Sequence, residues 1–288
     1  MEAGGGRGLG AVVITGASSG IGRGCALHLD SLGFQVFAGV RKPSDGERLE
    51  SDASERLQPL ALDVTDADSI GRAASQVAES VQDRGLAGLV NNAGVAISAP
   101  LEFIPIDELR RQLEVNLVEQ VAVTQAFLPL LRRAKGRVVN VGSIGGKVAL
   151  PFLGAYAASK FAMEAVSDSL RRELLPWGIS VSLLEPGSVS TPIWEKGIRT
   201  GQEVLERLPP EAHTLYGDAI DALQKAAGET AERGVPPLTV AKVVEHALTS
   251  PRPKTRYAVG RDAKMRIALT RVVPDRTMDR LITRAMGL

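Results

Sequence analysis

A glycine-rich turn between a short apolar run and a helical pattern constrains this fold more than any other stretch of the sequence. Residues 11–15 are predicted to form a buried strand, and Thr-Gly-Ala-Ser-Ser-Gly-Ile-Gly at 15–22 leads from it into a helix predicted over 20–32. Three glycines at this spacing allow a tight turn, close approach of backbone to a ligand and close packing of the helix on the sheet. The helix start directs free N–H groups at the turn, which predicts a dinucleotide pyrophosphate there.

Apolar runs alternate with helical patterns along most of the chain. The strand candidates are apolar on both sides, which is typical of a parallel sheet covered by helices on both faces. The repeated β-α-β order predicts an α/β fold with one doubly wound parallel sheet and right-handed crossovers. Further strands are predicted at 35–40, 58–62, 86–90, 136–141, 179–184 and 256–259, and further helices at 67–83, 107–133, 155–175 and 239–249.

Two segments depart from the alternation, although no linker rich in Pro, Gly or Ser divides the chain, so 1–288 is predicted to be one domain. Polar, Gly and Pro residues are frequent at 192–237, which we interpret as a loop and helix excursion over the site. A C-terminal extension follows at 262–288, with helix predicted from 265. Within the long helices, Pro129 is expected to kink the last turns of 107–133, and Thr239 is expected to be an N-cap.

The charge balance and the cysteine count exclude several classes of function. Lys and Arg total 34 against 33 Asp and Glu, so no electrostatic feature favours a nucleic-acid partner. Cys25 is the single cysteine and the three histidines are far apart in sequence, so neither a disulfide nor a metal site is predicted. No apolar run reaches the roughly 18–20 residues of a membrane span, and 1–10 lack the apolar stretch of a secretory signal. The expected location is therefore cytoplasmic.

Six motifs occur in the order and spacing of the short-chain dehydrogenase/reductase family, which the chain resembles over about residues 10–260. They are Gly16-x-x-x-Gly20-x-Gly22, Asn91-Asn92-Ala93-Gly94, Asn116, Ser143, Tyr156-x-x-x-Lys160 and Pro186-Gly187. The resemblance implies a single Rossmann-type domain with strand order 3-2-1-4-5-6-7. Residues 256–264 resemble the last strand of the retinol and 17β-hydroxysteroid dehydrogenase-like branch, which implies a ketone or secondary alcohol on a hydrophobic skeleton.

The end of the second predicted strand bears on the choice of cofactor. An acidic residue there commonly binds the adenosine ribose hydroxyls, whereas a nearby Arg accommodates a 2′-phosphate. Val40 occupies the acidic position here and is followed by Arg41 and Lys42, which favours NADP(H) over NAD(H). The alternative is that both cations are solvated loop charges. With the resemblance added, the residues expected to bind the cofactor are Thr15, Gly16, Ser18, Ser19, Gly20, Ile21, Gly22, Arg41, Asp63, Val64, Asn91, Ala93, Gly94, Tyr156, Lys160, Pro186, Gly187, Val189 and Thr191.

Tyr156 and Lys160 are the strongest candidates for proton transfer during hydride transfer to a carbonyl. Four residues apart on a helix, they share one face, and an ammonium nearby should lower the phenol pKa from its ordinary value of about 10. Tyr156 is then expected to be a general acid/base. The resemblance further implies that Lys160 binds the nicotinamide ribose, that Ser143 binds the substrate oxygen and that Asn116 holds a relay water. A surface Tyr–Lys pair is the alternative, disfavoured by the position of Ser143.

The substrate pocket is expected between 145–152, 185–188 and the excursion after Thr191. Its candidate lining is partly apolar and favours lipophilic substrates; it comprises Val148, Leu150, Phe152, Leu153, Ile193, Trp194, Ile198 and Leu205. The resemblance implies a homodimer or homotetramer formed through the 107–133 and 155–175 helices. A protein that senses the cofactor without turnover is the rival hypothesis. Cys25 and His28 are interpreted as packing residues, and 108–111 as a solvated helix face.

Overall fold

A seven-stranded parallel sheet forms the centre of the computed structural model. The structure describes residues 9–286, except for the side chains at 194–196, 198–199, 224–227 and 229–232. The strand order is β3-β2-β1-β4-β5-β6-β7, and every neighbouring pair is parallel. The predicted doubly wound sheet and its strand order are therefore confirmed. The strands are β1 (Ala11–Ile14), β2 (Gln35–Val40), β3 (Leu57–Ala61), β4 (Gly88–Asn91), β5 (Arg137–Val141), β6 (Ser180–Pro186) and β7 (Arg256–Val259).

Helices cover both faces of this sheet and give the molecule two main apolar cores. Val12 and Ile14 of β1 belong to the core that includes residues of the first and ninth helices, whereas Ala11 and Val13 belong to the opposite core. This alternation explains why the strands are apolar on both sides. The helices are α1 (Gly20–Ser31), α2 (Pro43–Ser51), α3 (Ala67–Val81), α4 (Ile106–Leu113), α5 (Glu119–Ala134), α6 (Gly154–Leu174), α7 (Ile193–Leu205), α8 (Pro210–Arg233), α9 (Pro237–Thr249), α10 (Arg261–Thr270) and α11 (Asp275–Met286).

The predicted helix at 107–133 is not continuous. It is divided into α4 and α5 by a wider π turn at Glu114–Val118, in which Asn116 lies. Gln112 and Asn116 direct their amides to the backbone at Val95 and Ile97, so this part of the helix is shaped by the loop after β4. Helical periodicity does not reveal one extra residue in a turn. Pro129 lies inside α5, and its kink stays a prediction.

The predicted loop and helix excursion at 192–237 is mostly helical, since α7 and α8 occupy nearly all of it. Two further predictions need correction. Thr239 is not an N-cap, because α9 begins at Pro237, a residue type whose fixed φ suits the first helical position. Glu108 does not lie on a solvated face, because it is buried and pairs with Arg111 and Arg207. In addition, α2 was not predicted, although Pro43 at its first position is a helix-start signal.

A third, smaller apolar cluster joins α7 and α8 to the loop after β4 and the start of α6. Residues from the excursion pack here against a segment that ends beside the candidate catalytic tyrosine. The buried members are Ile97, Ala99, Ile104, Ala155, Val204, Leu208 and Ala212. The excursion is thus fixed over the carboxyl side of the sheet. The predicted C-terminal helix is present as α10 and α11, and residues 1–8 and 287–288 lie outside the described residues.

Candidate active site

The turn after β1 requires glycine at all three predicted positions. Gly16 and Gly20 have φ of +65° and +55°, in the left-handed region that favours glycine. A Cβ atom on Gly22 would lie closer than 3.0 Å to the Gly16 carbonyl oxygen and 2.5 Å from Nδ2 of Asn92. Ser19 is the N-cap residue of α1, and Ser18 and Ile21 are partly exposed beside it. The structure therefore contains a narrow backbone cradle at a helix N-terminus, which fits a pyrophosphate.

Thr15 and Asn92 hold this cradle in place. The Thr15 Oγ1 atom accepts hydrogen bonds from the backbone N–H groups of Asn92 and Ala93, both at 2.9 Å. The Asn92 amide donates to the carbonyl oxygens of Thr15 at 2.9 Å and Gly16 at 3.1 Å. Asn92 belongs to the Asn-Asn-Ala-Gly motif but is not among the predicted site residues. Its role depends on the direction of its side chain, which turns back to the glycine-rich turn, and spacing in the sequence does not show this.

Asn91 has a different task from its neighbour. Its side chain is buried and donates to Thr124 Oγ1 at 2.8 Å and to Asn140 Oδ1 at 2.9 Å. Asn140 in turn donates to Ser167 Oγ on α6 at 2.9 Å. Asn91 therefore supports the sheet and the helices packed on it, while Gly94 is exposed at the rim of the site.

The residues predicted to contact the adenosine part lie at the ends of β2 and β3. The backbone N–H of Ala17, in the glycine-rich turn, donates to the Gly39 carbonyl oxygen at 2.9 Å. Arg41 is exposed and follows Gly39 by two residues, so the end of β2 that carries it lies beside this turn. The carboxylate of Asp63 accepts from the N–H and Oγ1 of Thr65, at 3.0 and 2.8 Å. Val64 is buried beside it. These residues therefore share one edge of the sheet with the cradle.

The turn after β6 lies against the glycine-rich turn. A Cβ atom on Gly20 would lie 3.1 Å from Cβ of Thr191, so the two turns meet. Asp262 fixes the start of the β6 turn, because its Oδ2 atom accepts from the Ser188 N–H at 2.7 Å. A Cβ atom on Gly187 would lie closer than 3.0 Å to both Asp262 carboxylate oxygens. Asp262 was not predicted as a site residue, because nothing in the sequence links it to a turn 74 residues earlier.

Ser143, Tyr156 and Lys160 are brought together at the carboxyl edge of the sheet, which also carries the turns after β1 and β6. Ser143 follows β5, and a Cβ atom on Gly145 would lie 3.0 Å from Cε1 of Tyr156 and 3.4 Å from Oγ of Ser143, so the serine hydroxyl lies beside the phenol ring. The Ser143 Oγ atom also accepts from the Gly145 N–H at 3.0 Å. Lys160 is buried on the same face of α6, with its Nζ atom 5.8 Å from the centre of the Tyr156 ring. The three side chains thus form one cluster at the carboxyl edge of the sheet.

The electrostatics of this cluster differ from the prediction. Burial raises the pKa of the Tyr156 phenol above its ordinary value, and the neighbouring Ser143 hydroxyl opposes this only in part. The Lys160 ammonium donates to the Val141 carbonyl oxygen at 2.9 Å, and burial lowers the pKa of Lys160 to about 8. The expected lowering of the tyrosine pKa is therefore wrong for the protein alone. The helical spacing correctly gave a shared face, but not the direction in which the long lysine side chain extends.

Asn116 connects the π turn to the catalytic helix. Its Oδ1 atom accepts from the Val95 N–H at 2.8 Å, and its Nδ2 atom donates to the Val95 carbonyl oxygen at 3.0 Å and to Ser159 Oγ at 3.1 Å. Ser159 donates to the Tyr156 carbonyl oxygen at 2.7 Å. The side chain therefore positions α6 beside the loop after β4, and its predicted role in holding a relay water stays a prediction.

The geometry and the comparisons with known proteins agree on the class of protein. A nucleotide-binding cradle faces a Ser-Tyr-Lys cluster on a doubly wound sheet, as in NAD(P)-dependent oxidoreductases. The family model described as short chain dehydrogenase matches residues 10–201, two thirds of the 288 residues. The chain belongs to the short-chain dehydrogenase/reductase family and is an NAD(P)-dependent enzyme.

Two curated relatives narrow this to one branch of the family. The chain is 43% identical to retinol dehydrogenase 5 of Mus musculus, over 94% of this chain and 87% of that protein. It is 41% identical to estradiol 17-beta-dehydrogenase 2 of Mus musculus, over 94% of this chain and 74% of that protein. It therefore falls in the retinol and hydroxysteroid dehydrogenase branch, as its β7 region indicated.

A solved structure supports the fold over nearly the whole chain. The short chain dehydrogenase from Burkholderia cenocepacia J2315, solved in complex with NADP, has a TM-score of 0.72 and 26% identity, and the match covers 98% of each chain. Two observations concern residues 9–286 alone. No helix there combines the length and hydropathy needed to cross a membrane. No group of three or more His, Cys, Asp or Glu side chains there is arranged to hold a metal ion.

Proposed function

We propose that this enzyme interconverts ketones and secondary alcohols on lipophilic molecules with NADP(H), and that Tyr156 is its general acid/base. The cluster of Ser143, Tyr156 and Lys160 supports this proposal most directly. It follows the carboxyl end of β5, on the sheet edge that carries the turns after β1 and β6, so a substrate oxygen and a cofactor ring would be held beside the same phenol.

The backbone cradle fits a dinucleotide, and the assignment of its parts follows from the fold. The glycines at 16, 20 and 22 and the start of α1 would hold the pyrophosphate, while the turn at 186–191 would cover the nicotinamide. When bound, the nicotinamide ring supplies the hydride for reduction or accepts it in oxidation. Lys160 would bind the ribose hydroxyls beside it.

The protonation state of Tyr156 suits reduction. A raised pKa keeps the phenol protonated near neutral pH, so Tyr156 can donate a proton to the carbonyl oxygen as that oxygen becomes an alkoxide. Ser143 would donate a hydrogen bond to the same oxygen. In the reverse direction, Tyr156 must lose its proton first, and the charge of Lys160 stabilises the tyrosinate that results.

Arg41 supports a preference for NADP(H). It is exposed at the end of β2, and the position where a carboxylate would bind ribose hydroxyls is filled by the buried Val40. A guanidinium there can bind a 2′-phosphate with paired, charge-assisted hydrogen bonds.

The lipophilic substrate is supported by the aromatic side chains above the catalytic helix. Tyr216 of α8 packs edge-on against Phe103 and Phe152, with ring centres 6.0 and 5.8 Å apart. Val148, Leu150 and Leu153 are partly buried in the same region, and the side chains of Trp194 and Ile198 lie outside the described part of the chain. Retinol and estradiol, named for the two relatives, are apolar alcohols. The homo-oligomer and the cytoplasmic location stay predictions.

The catalytic proposal is tested by NADPH oxidation with a panel of lipophilic ketones. We expect turnover by the parent, loss of turnover in Tyr156→Phe and an unchanged Kd for NADPH. Tyr257→Phe is the matched control, because Tyr257 is a buried phenol on β7 that binds His246 and the Lys254 N–H. NADPH binding without turnover of any carbonyl compound would favour the cofactor-sensing alternative.

The cofactor preference is tested separately by Arg41→Ala. Loss of charge-assisted hydrogen bonds, at about 1.5–3 kcal/mol, raises the Kd for NADPH by about tenfold or more. The Kd for NADH should remain within about twofold, since NADH lacks the 2′-phosphate. Arg48→Ala, on the exposed side of α2, is the control. Equal losses for both cofactors would exclude a 2′-phosphate role for Arg41.

A further inference from the structure

Five charged side chains that take no part in the proposed proton and hydride transfer form a network beside the catalytic cluster. Lys147 Nζ donates to Glu164 Oε2 at 2.7 Å and lies 3.3 Å from Glu185 Oε1. Arg256 Nε donates to the same Glu164 oxygen at 2.9 Å and lies 3.6 Å from Glu185 Oε1. The Nη2 atom of Arg256 lies 3.0 Å from Asp168 Oδ1. Glu164 and Glu185 are only 9% and 3% exposed, so this is not a surface ion pair.

The network connects the segments that carry the catalytic group. Lys147 ends the short helical turn that begins at Ser143. Glu164 lies one helical turn beyond Lys160 on α6. The other three members lie on α6, at the start of β7, and on β6 just before the turn proposed to cover the nicotinamide. One set of ion pairs therefore links the serine, the tyrosine–lysine helix and the cofactor turn.

The backbone of the turn at 144–146 contacts the catalytic helix, so the geometry of the network affects the position of that turn. A Cβ atom on Gly146 would lie 2.8 Å from the Lys160 carbonyl oxygen, so the turn rests directly on the catalytic helix. A change in the ion pair between Lys147 and Glu164 would thus shift the turn across that contact surface. Such a shift moves Ser143 relative to Tyr156.

We infer that Lys147 and Glu164 are positioning residues, which hold the Ser143 turn against α6 at the distance that proton transfer needs. This inference rests on the proposed function. The arrangement also explains why two carboxylates are buried together here. Burial and the neighbouring Glu164 raise the pKa of Glu185, whereas Lys147 lowers it. Lys147 pairs with Glu164 and Glu185, and Arg256 pairs with both of these carboxylates and with Asp168.

The test uses Lys147→Met, Glu164→Gln, the double variant Lys147→Met/Glu164→Gln and Lys147→Arg in the full chain. Lys147→Met should lower kcat for a ketone that the parent reduces by about tenfold to hundredfold, because misplacement of about 1 Å has effects of that size. The Kd for NADPH should stay within about twofold, and Lys147→Arg should restore most of the activity. The double variant should be no worse than the larger single loss, because the two residues act as one unit.

Arg56→Met is the matched control, because Arg56 pairs with the buried Asp30 at 3.9 Å, far from the catalytic cluster in the fold. It should cost comparable thermal stability and leave kcat unchanged. Hydrogen exchange of the 145–148 amides gives a second readout that needs no turnover, and should be faster in Lys147→Met than in the parent or in Arg56→Met. If the parent reduces no ketone, the proposed function fails, while exchange still decides whether the ion pair holds the turn. Unchanged exchange or an unchanged kcat in Lys147→Met would overturn the inference.

Discussion

Replacement of Gly22 by alanine tests the cradle at its tightest point. The added Cβ atom would meet two groups that are fixed by the fold, the carbonyl oxygen of Gly16 and the amide of Asn92. Asn92 is itself committed to two backbone carbonyl oxygens, so it has no free direction in which to move. The turn must therefore shift away from α1 to accommodate one methyl group.

The expected size follows from two opposing terms. Overpacking of this kind costs about 1–3 kcal/mol, while exchange of glycine for alanine in a helix contributes about 0.5–1 kcal/mol of stability. The net loss in the free energy of unfolding is then roughly 0–2.5 kcal/mol. The displaced N–H groups also lose their alignment with the pyrophosphate. Loss of one hydrogen bond to a charged group costs about 1.5–3 kcal/mol, so the Kd for NADPH should rise by about tenfold or more.

Gly71→Ala is the control, because Gly71 is also helical, on α3, and its Cβ atom would meet nothing within 4 Å. It should gain the helical contribution without the steric cost, so its melting temperature should rise slightly with the Kd for NADPH unchanged. Thermal unfolding and titration of NADPH fluorescence measure both quantities. If Gly22→Ala behaves like Gly71→Ala, the glycine is not required by the cradle and the argument fails.

Three other predictions concern titration, the excursion and the cysteine. Burial lowers the pKa of Lys160 from 10.5 to about 8, so between these pH values the unfolded chain binds more protons than the folded protein, and the free energy of unfolding rises with pH. Denaturant unfolding at pH 7 and pH 10 should therefore show a larger increase in this free energy for the parent than for Lys160→Met. Equal increases would contradict the prediction. Tyr216→Ala removes two edge-on ring contacts and should raise KM for lipophilic ketones with little change in kcat, whereas Tyr216→Phe should resemble the parent. Cys25 is fully buried and its pKa is raised to about 12, so a thiol reagent should label it only at the rate of unfolding; rapid labelling of folded protein would be inconsistent with that burial.

The features that could be predicted from the sequence are those that local spacing determines. The glycines of the cradle and the shared face of Tyr156 and Lys160 follow from one turn and one helix. The contacts that the sequence did not reveal join distant segments, as when Asp262 accepts from the Ser188 N–H. Glu108 illustrates the same limit, since its charged neighbours suggested a solvated face, and only packing of Arg207 against α4 explains its burial.

The extra residue in the π turn was beyond prediction for another reason. Its cause lies in the loop after β4, whose backbone N–H groups donate hydrogen bonds to the side-chain amides of Gln112 and Asn116. The tyrosine pKa was predicted in the wrong direction because spacing locates Cβ atoms and not the tip of a flexible ammonium, which here reaches the Val141 carbonyl oxygen. Burial is then the largest influence on the pKa of the Tyr156 phenol and raises it.

The small apolar cluster under α7 and α8 has a consequence for the energetics of opening. Its side chains belong to neither of the two cores that flank the sheet, so we expect α7 and α8 to detach together before the seven strands separate. Such local unfolding requires only part of the global free energy of unfolding. We therefore expect a bulky molecule to enter and leave through partial detachment of these two helices, with the sheet intact.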